Sequence, residues 1–332
     1  MSMGLFDSDE RKEEEFMKRY DCIVIDSVNF AYRVFKHKGE TPVKLSKKTV
    51  YKDSICNFIN AVDDLRQRYL AYEGNIYLLF DNYFSRADLR SIYMYADRKQ
   101  LNESYKANRK KESKEFYNSL NFLRYYYLIG PSYYHTLRVD NLEADDLVKP
   151  LFTDLGIFEN NKSALMVTTD LDWTRYCRTN VDWLPKLNEN PQDVHSLSAQ
   201  LGFEVNEKNI LMYKAIFGDA SDNISALVTN NTPNFNDFLS LIEKVNNPED
   251  LVFLSRKDNT SSPILKKISQ DEKSFLANLQ LVSTIECSKD MVKFSLTNGR
   301  MESTLYNAVR DAIGLNGEPE FVFGGLKRTR IS

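Results

Sequence analysis

Three short hydrophobic runs in the first 170 residues each end in an aspartate. The runs are CIVID (22–26), IYLLFD (76–81) and ALMVTTD (164–170). Continuous apolar runs of this length are typical of strands that are buried on both faces of a parallel sheet. The pattern therefore predicts inner strands that deliver Asp26, Asp81 and Asp170 to one edge of the sheet, where ligands bind in such folds. The alternative is that each aspartate caps the helix or turn that follows it.

Helical periodicity fills the segments between these runs. A helix is predicted over about 48–72, closed by Gly74, and another over 116–131, which ends at a Gly-Pro pair. The segment SYYHTLRV (132–139) is predicted as a further strand. Strands that alternate with helices indicate an α/β fold with right-handed crossovers.

The pattern becomes mainly helical after about residue 200. The candidate helices are 207–217, 236–246, 270–283 and 303–313. Three parts of the chain are therefore expected: an acidic lead-in at 1–20, a mixed α/β domain at 21–200, and a mainly helical part at 201–332 that ends in a basic tail.

The stretch NLEADDLV (141–148) concentrates acidic residues between leucines. At about 100° per residue, four apolar residues share one arc of a helix: Ala144, Leu147, Val148 and Leu151. Three acids share the opposite arc: Glu143, Asp145 and Asp146. We therefore expect a helix that packs its apolar face on the sheet and presents its carboxylates outward. Pro150 predicts a kink or a restart of this helix, because proline cannot donate the backbone hydrogen bond.

Two further acidic pairs complete a set of nine carboxylates. Asp170 and Asp172 lie in TTDLD, whereas Asp219 and Asp222 lie in GDASDN, where a helix breaks at Gly218. Two carboxylates ~4 Å apart repel by roughly 4 kcal/mol at an effective dielectric constant near 20, so converging acids need protons or bound cations. A site made only of oxygen ligands selects Mg²⁺ or Mn²⁺. Enough carboxylates for two ions suggest phosphodiester hydrolysis by a two-metal mechanism.

Residues 86–114 form a basic segment in a chain whose formal net charge is −3. The segment holds nine Lys and Arg residues against four acids, and tyrosines are interleaved with them. Cations that hold phosphates and rings that stack on unpaired bases are features of single-stranded nucleic-acid binding. A solvated helical face is the alternative for a charge run taken alone. The position of the segment directly after the Asp81 strand favours nucleic-acid binding.

Cysteine and histidine usage and hydropathy argue against several other classes of protein. The four cysteines lie far apart with no CxxC pair, and the three histidines are scattered, so neither type predicts a zinc site. Unpaired cysteines suit a reducing cytosol. The N-terminus is too charged for a signal peptide, and no apolar run is long enough to span a bilayer. We therefore expect a cytoplasmic protein with no membrane partner.

Six blocks of the sequence resemble a known superfamily. In chain order they are CIVIDSVNFAYR, LLFDNY, SYKANRKK, NLEADDLV, TTDLDW and GDASDNI. Their order and approximate spacing resemble the structure-specific 5′ nucleases, which include flap endonucleases, the N-terminal nuclease of bacterial DNA polymerase I and phage 5′→3′ exonucleases. The resemblance covers about residues 20–230 and is greatest to the phage branch, which includes phage RNase H enzymes.

The resemblance implies a PIN-like, mostly parallel sheet flanked by helices, a helical arch at about 82–115 and a C-terminal helical, DNA-binding subdomain. Single-stranded 5′ ends or flaps thread beneath the arch in this superfamily. By motif match, the first of two Mg²⁺ or Mn²⁺ ions is held by Asp26, Asp81, Glu143 and Asp145. The second is held by Asp145, Asp170, Asp172 and Asp222, with Asp146 and Asp219 in support.

The same match assigns basic residues of the arch to nucleic acid. Lys106 and Arg109 are expected to contact the scissile phosphate, with Tyr105 beside them. Further nucleic-acid contacts are expected from Arg86, Arg90, Lys110 and Lys111.

One block departs from the superfamily pattern. Many relatives follow GDxSDN with a glycine-bearing hairpin that grips duplex phosphates and a potassium ion. This chain continues ISALVTNNTPNFNDF, which has no glycine. Close approach of the backbone is difficult without glycine, which disfavours the same potassium site.

The resemblance implies a Mg²⁺-dependent 5′→3′ exonuclease and flap endonuclease, with RNase H-type activity, that removes RNA primers or 5′ ends in replication or recombination. Its expected substrates are DNA with 5′ flaps or ends and RNA–DNA hybrids. A monomer is expected, in the host cytoplasm if a phage encodes it. A single-strand-binding protein and a sliding clamp are candidate partners.

Three alternatives are open at this point. A haloacid-dehalogenase-like phosphatase also has a strand-end aspartate, but its nucleophile motif needs DxD, and here Asp26 is followed by Ser27 and Val28. A PIN-type ribonuclease is usually much shorter and lacks the arch. A non-catalytic nucleic-acid-binding relative would have lost carboxylates, whereas every expected carboxylate is present.

Overall fold

The structure is a computed structural model. It describes residues 18–45, 47–81, 106, 112–140, 142–159, 162–257, 261–285 and 287–315. Its strands are β1 (Tyr20–Asp26), β2 (Val43–Leu45), β3 (Lys48–Val50), β4 (Leu70–Leu79), β5 (Tyr134–Leu137), β6 (Ala164–Val167), β7 (Val181–Leu184) and β8 (Leu296–Asn298).

The helices lie between the strands and dominate the second half of the chain. In the first half they are α1 (Ser27–Val34), α2 (Lys52–Tyr69), α3 (Lys114–Ile129), α4 (Ala144–Asp154) and a 3₁₀ helix (Leu171–Tyr176). In the second half they are α5 (Val194–Leu201), α6 (Glu207–Phe217), α7 (Thr232–Ile242), α8 (Asp250–Lys257), α9 (Pro263–Gln270), α10 (Glu272–Val282), α11 (Lys289–Ser295) and α12 (Ser303–Ala312). None of the helices described is long and apolar enough to cross a membrane.

Six strands form one sheet in the order β7-β6-β1-β4-β5-β8. All neighbours in it are parallel except β8, which runs antiparallel to β5 at one edge. Along β1, Ile23 and Ile25 belong to one hydrophobic cluster, whereas Cys22 and Val24 belong to the other. The mostly parallel α/β sheet predicted from the continuous apolar runs is therefore confirmed, with helices on both faces.

The register of the central strands brings their carboxyl ends together. Asp26 at the end of β1 pairs with Leu79 at the end of β4, and Ile25 pairs with Val167 at the end of β6. The chain positions that follow β4 and β6 therefore lie beside Asp26. This edge of the sheet carries the acidic residues described below.

The helix predicted over 48–72 is wrong at both ends. Residues 43–50 form the antiparallel hairpin β2–β3, and α2 begins only at Lys52. The carboxylate of Glu40 accepts hydrogen bonds from the Asp53 and Ser54 amides, so the first turn of α2 is capped from a preceding loop. The helix ends at Tyr69, and Gly74 lies inside β4 rather than closing the helix.

Candidate metal site

The three strand-end aspartates each use one oxygen to cap the segment that follows or a neighbouring helix. Asp26 Oδ1 accepts from the Asn29 amide in α1 at 3.0 Å. Asp81 Oδ1 accepts from the Ala144 amide at the start of α4 at 2.7 Å, and Asp170 Oδ1 accepts from the Asp172 amide at 2.9 Å. Capping and delivery to the sheet edge, the two alternatives weighed from the sequence, therefore occur together.

The acidic turn at the start of α4 forms the first carboxylate cluster. Glu143 is the N-cap, and its amide donates to Asp146 Oδ2 at 3.1 Å in a capping box. Ligand atoms of Glu143, Asp145 and Asp146 all lie within 4.8 Å of one another. Three carboxylates at this separation can hold a cation among them.

Asp146 does not point outward as the helical periodicity predicts. It is 1% exposed, and its Oδ1 accepts from the Ile285 amide at 2.7 Å. Two backbone amides thus bind its two oxygens, which makes burial of this charge tolerable. The helix itself runs through Pro150 to Asp154 rather than restarting there.

A second carboxylate cluster consists of Asp172, Asp219 and Asp222, whose ligand atoms also lie within 4.8 Å of one another. Asp172 stands in the 3₁₀ helix, and the other two stand in the turn after α6. Gly218 permits this turn, because its φ is +77° and a Cβ there would lie 2.7 Å from the Ile224 carbonyl oxygen.

Two buried cations in this second cluster were missed by sequence reasoning. Lys214, which is 5% exposed, lies 2.7 Å from Asp172 Oδ1 and 2.6 Å from Asp219 Oδ2. Arg175 lies 2.5 Å from Asp172 Oδ1 and also donates to the Val282 carbonyl oxygen at the end of α10. The i, i+3 spacing of Asp172 and Arg175 is a local signal that could have indicated that pair, whereas the contact between Lys214 and Asp172 joins two elements and has no such signal.

Lys106 lies between the two clusters. Its Nζ is 2.6 Å from Glu143 Oε2 and 3.7 Å from Asp222 Oδ2, and its amide donates to the Asp222 carbonyl oxygen at 3.1 Å. Lys106 is the one residue of 82–111 that the structure describes, so most of the predicted arch lies outside the described residues. The same holds for six predicted nucleic-acid contacts: Arg86, Arg90, Tyr105, Arg109, Lys110 and Lys111.

Burial and mutual repulsion shift the pKa values of the acids at this edge. Burial, followed by the charges of Asp26 and Glu143, raises the pKa of Asp81 to about 8. Burial and the charge of Asp172 raise the pKa of Asp170 to about 6. Burial alone would raise the pKa of Asp172 too, but Lys214 and Arg175 outweigh it and hold that pKa well below its usual range. The edge therefore carries more acid than its own cations neutralise.

These residues fit divalent metal ions. The groups of candidate ligands among the described residues contain only carboxylates, and all four cysteines are free. Hard oxygen ligands and uncompensated negative charge in a buried site are the chemistry that Mg²⁺ and Mn²⁺ require. Six of the nine sequence-predicted acids thus lie in two clusters linked by Lys106. The other three, Asp26, Asp81 and Asp170, stand at the ends of the strands on the same edge of the sheet.

The raised pKa of Asp81 predicts how the stability of the metal-free protein depends on pH. The pKa of about 8 means that folded Asp81 keeps its proton up to about that pH, whereas in the unfolded chain the carboxyl returns to its ordinary pKa of 3.8. The free energy of unfolding in EDTA should therefore fall as the pH rises between those values, by at most about 1.4 kcal/mol per pH unit. Thermal unfolding of the wild type and of Asp81→Asn across this range measures the effect.

The Asp81→Asn variant should show a flatter pH profile than the wild type. Asp64→Asn is a matched control, because Asp64 is an exposed carboxylate on α2. Parallel profiles for the wild type and Asp81→Asn would contradict the assigned environment of Asp81.

The chain matches a known protein family and is similar to several solved structures. Residues 21–202 match the family model of the 5′-3′ exonuclease, N-terminal resolvase-like domain. A search of curated proteins found no match. Among solved structures, the chain is similar to the T5 5′-exonuclease with bound zinc, at 18% identity and a TM-score of 0.54, covering 84% of this chain and 91% of that chain.

Two other solved structures are similar to a comparable extent. One is a bacteriophage T5 flap endonuclease in a pseudo-enzyme–product complex with DNA and metal ions, at 15% identity and a TM-score of 0.55, covering 88% of this chain and 97% of that chain. The other is a T5 protein co-crystallised with metal ions, at 17% identity and a TM-score of 0.56, covering 82% and 90%. At these identities the likeness shows a shared fold.

Proposed function

Because this chain belongs to the family of 5′-3′ exonucleases with an N-terminal resolvase-like domain, we propose that it is a metal-dependent, structure-specific 5′ nuclease. The observation that carries the proposal is the pair of carboxylate clusters at the carboxyl edge of the sheet, with Lys106 between them. Fold and family alone would not assign an activity, because function depends on the residues of the site. Here the acidic residues that such a site would need support the assignment: all nine expected carboxylates are in the sequence, and six of them lie in the two clusters.

The chemistry follows from the two clusters. Two Mg²⁺ or Mn²⁺ ions would activate a water molecule and stabilise the leaving oxygen. Asp26, Asp81, Glu143 and Asp145 would hold one ion. Asp145, Asp170, Asp172 and Asp222 would hold the other, with Asp219 and Asp146 in support.

Residues around the clusters would orient the ligands and the substrate. Arg175 and Lys214 both bind Oδ1 of Asp172, which fixes the orientation of that carboxylate. The Ile285 amide does the same for Asp146. Lys106 would turn from Glu143 to a non-bridging oxygen of the scissile phosphate when cations neutralise the acids. Arg109 and Tyr105 would act beside it.

The proposal also covers the substrates, the oligomeric state and the division of the chain into domains. Substrates would be DNA with 5′ flaps or ends and RNA–DNA hybrids, processed by a monomer to remove primers or 5′ ends in replication or recombination. Residues 21–200 would form the catalytic domain and 201–332 a DNA-binding subdomain. The similar T5 flap endonuclease in complex with DNA and metal ions supports the choice of these two ligand classes.

The phosphatase alternative is disfavoured by the conformation at Asp26. Residue Ser27 is already the first residue of α1, and no second aspartate follows two positions later. The non-catalytic alternative is disfavoured because the sequence has an acid at every expected position and six of these acids lie in the two clusters.

A panel of substrates tests the proposed function. The protein is incubated with 5′-flap DNA, 3′-flap DNA, an RNA–DNA hybrid and p-nitrophenyl phosphate. We expect cleavage of the 5′-flap DNA and of the hybrid, with the 3′ flap left intact. Hydrolysis of p-nitrophenyl phosphate alone would support a phosphatase instead.

A further inference from the structure

Arg33 lies in the last turn of α1, seven positions after Asp26. Seven residues are about two turns, so both residues lie on nearly the same face of the helix. Helical side chains tilt toward the N-terminus, which directs the guanidinium of Arg33 back toward the sheet edge. Its Cζ lies 5.6 Å from the ring centre of Phe30, one turn earlier, in agreement with that direction.

The guanidinium of Arg33 is not hydrogen-bonded at either terminal nitrogen. Nη1 and Nη2 are both buried and have no partner among the described residues. Five other arginines among the described residues have a buried Nε without a partner, but none of them has two unpartnered terminal nitrogens. They are Arg66, Arg68, Arg124, Arg178 and Arg310. Such a group is destabilising, because its hydration is lost and no hydrogen bond replaces it.

Several other arginines of the described residues have hydrogen-bonded terminal nitrogens. Arg175 binds a carboxylate and two carbonyl oxygens, and Arg68 binds Asp64 and the Leu187 carbonyl oxygen. The charge of Asp26 acts on Arg33 but only partly offsets burial, which lowers the pKa of Arg33. A desolvated cation without partners at the edge of a site is typical of a group that awaits an anionic ligand.

The fork of an arginine suits phosphate, because two parallel N–H groups can bind two phosphate oxygens at once. Arg33 lies on the Asp26 side of the edge, whereas Lys106 lies between Glu143 and Asp222. The side chain of Arg33 as a whole is only half-buried, so rotation about its terminal torsions can bring the guanidinium to a bound strand.

We propose that Arg33 binds a backbone phosphate of the nucleic-acid substrate, distinct from the scissile phosphate that Lys106 would contact. This inference rests on the proposed nuclease function and adds a binding residue outside the arch. It also explains why the chain retains an unpaired arginine beside the site: the substrate supplies the missing acceptors.

Stability and binding should change in opposite directions in Arg33→Met. Methionine keeps the packing on Phe30 and removes the unpaired charge, so the midpoint of thermal unfolding should equal or exceed that of the wild type. The Kd for 5′-flap DNA in Ca²⁺ should rise about tenfold. The slope of log Kd against log salt concentration should fall by about 0.7–0.9, as expected for one phosphate contact. Arg33→Lys keeps the charge and should retain the slope with a smaller loss of affinity.

Arg68→Met is the matched control. Arg68 stands in the last turn of α2, directly before β4 begins at Leu70, and so at the opposite edge of the sheet. Its terminal nitrogens bind the Leu187 carbonyl oxygen and Asp64, so Arg68→Met should lower the unfolding midpoint and leave the Kd unchanged.

Wild-type Kd and salt slope in Arg33→Met would overturn the inference. A lowered unfolding midpoint would also overturn it, because the guanidinium would then stabilise the free protein. Failure of the wild type to bind or cleave 5′-flap DNA would overturn the proposed function itself, and this inference with it.

Discussion

Substitution of Asp145 by alanine is expected to abolish cleavage of 5′-flap DNA while leaving DNA binding in Ca²⁺ largely intact. Asp145 stands in the first turn of α4 between Glu143 and Asp146, within the first carboxylate cluster. Its charge also raises the pKa of Arg175, which holds Asp172 of the second cluster. A carboxylate in reach of both clusters is the expected bridge between two ions, and its loss should reduce the single-turnover rate by about 10³-fold or more.

A carboxylate at the other end of the same helix provides the control for Asp145→Ala. Asp154 is the last residue of α4, on the far end from the clusters, so Asp154→Ala should cleave at the wild-type rate. Both variants are assayed under single turnover in Mg²⁺, and their affinities are measured in Ca²⁺. Wild-type activity in Asp145→Ala would remove this residue from the metal site.

Lys106→Met is expected to slow chemistry much more than binding. Lys106 Nζ is 2.6 Å from Glu143 Oε2, inside the region where the scissile phosphate must approach the metal ligands. A positioned cation at a phosphate that gains charge typically contributes about 10²–10³-fold to the rate. The single-turnover rate should fall by that amount, and the Kd for 5′-flap DNA should change far less.

An exposed lysine provides the control for Lys106. Lys149 pairs with Glu207 on the protein surface, so Lys149→Met should leave both the rate and the Kd unchanged. An unchanged single-turnover rate in Lys106→Met would show that this ammonium does not act on the reacting phosphate.

Local pattern sufficed for β1, β5, β6 and the second half of β4, and for the acids at the ends of β1, β4 and β6, but it missed β2, β3, β7 and β8. The apolar runs before Asp26 and Asp81 are short and continuous, as is typical of strands buried on both faces, and parallel strands carry their ends to the same edge. The start of α2 was predicted wrongly from the sequence. The strands β2 and β3 before it pair as a hairpin, and Glu40 caps the helix from an earlier loop. Contacts decided what helical periodicity could not.

Long-range contacts also explain the differences at the site. Asp146 turns inward because it accepts a hydrogen bond from Ile285, which lies 139 positions later in the chain. Lys214 neutralises Asp172 from a different element, α6, so the local pattern of motifs gives no means of pairing these two residues. The orphan nitrogens of Arg33 are visible only when the burial of each atom is known.

If the acidic edge of the sheet holds divalent cations, cleavage of flap DNA should depend on them. Wild-type protein is mixed in excess with 5′-labelled flap DNA, and product is followed over time in Mg²⁺ and in EDTA. We expect cleavage near the flap junction in Mg²⁺ and no cleavage in EDTA. Cleavage should recover when Mg²⁺ is restored. Equal cleavage in EDTA, or binding of the flap without cleavage in any divalent metal, would contradict the proposed metal-dependent cleavage.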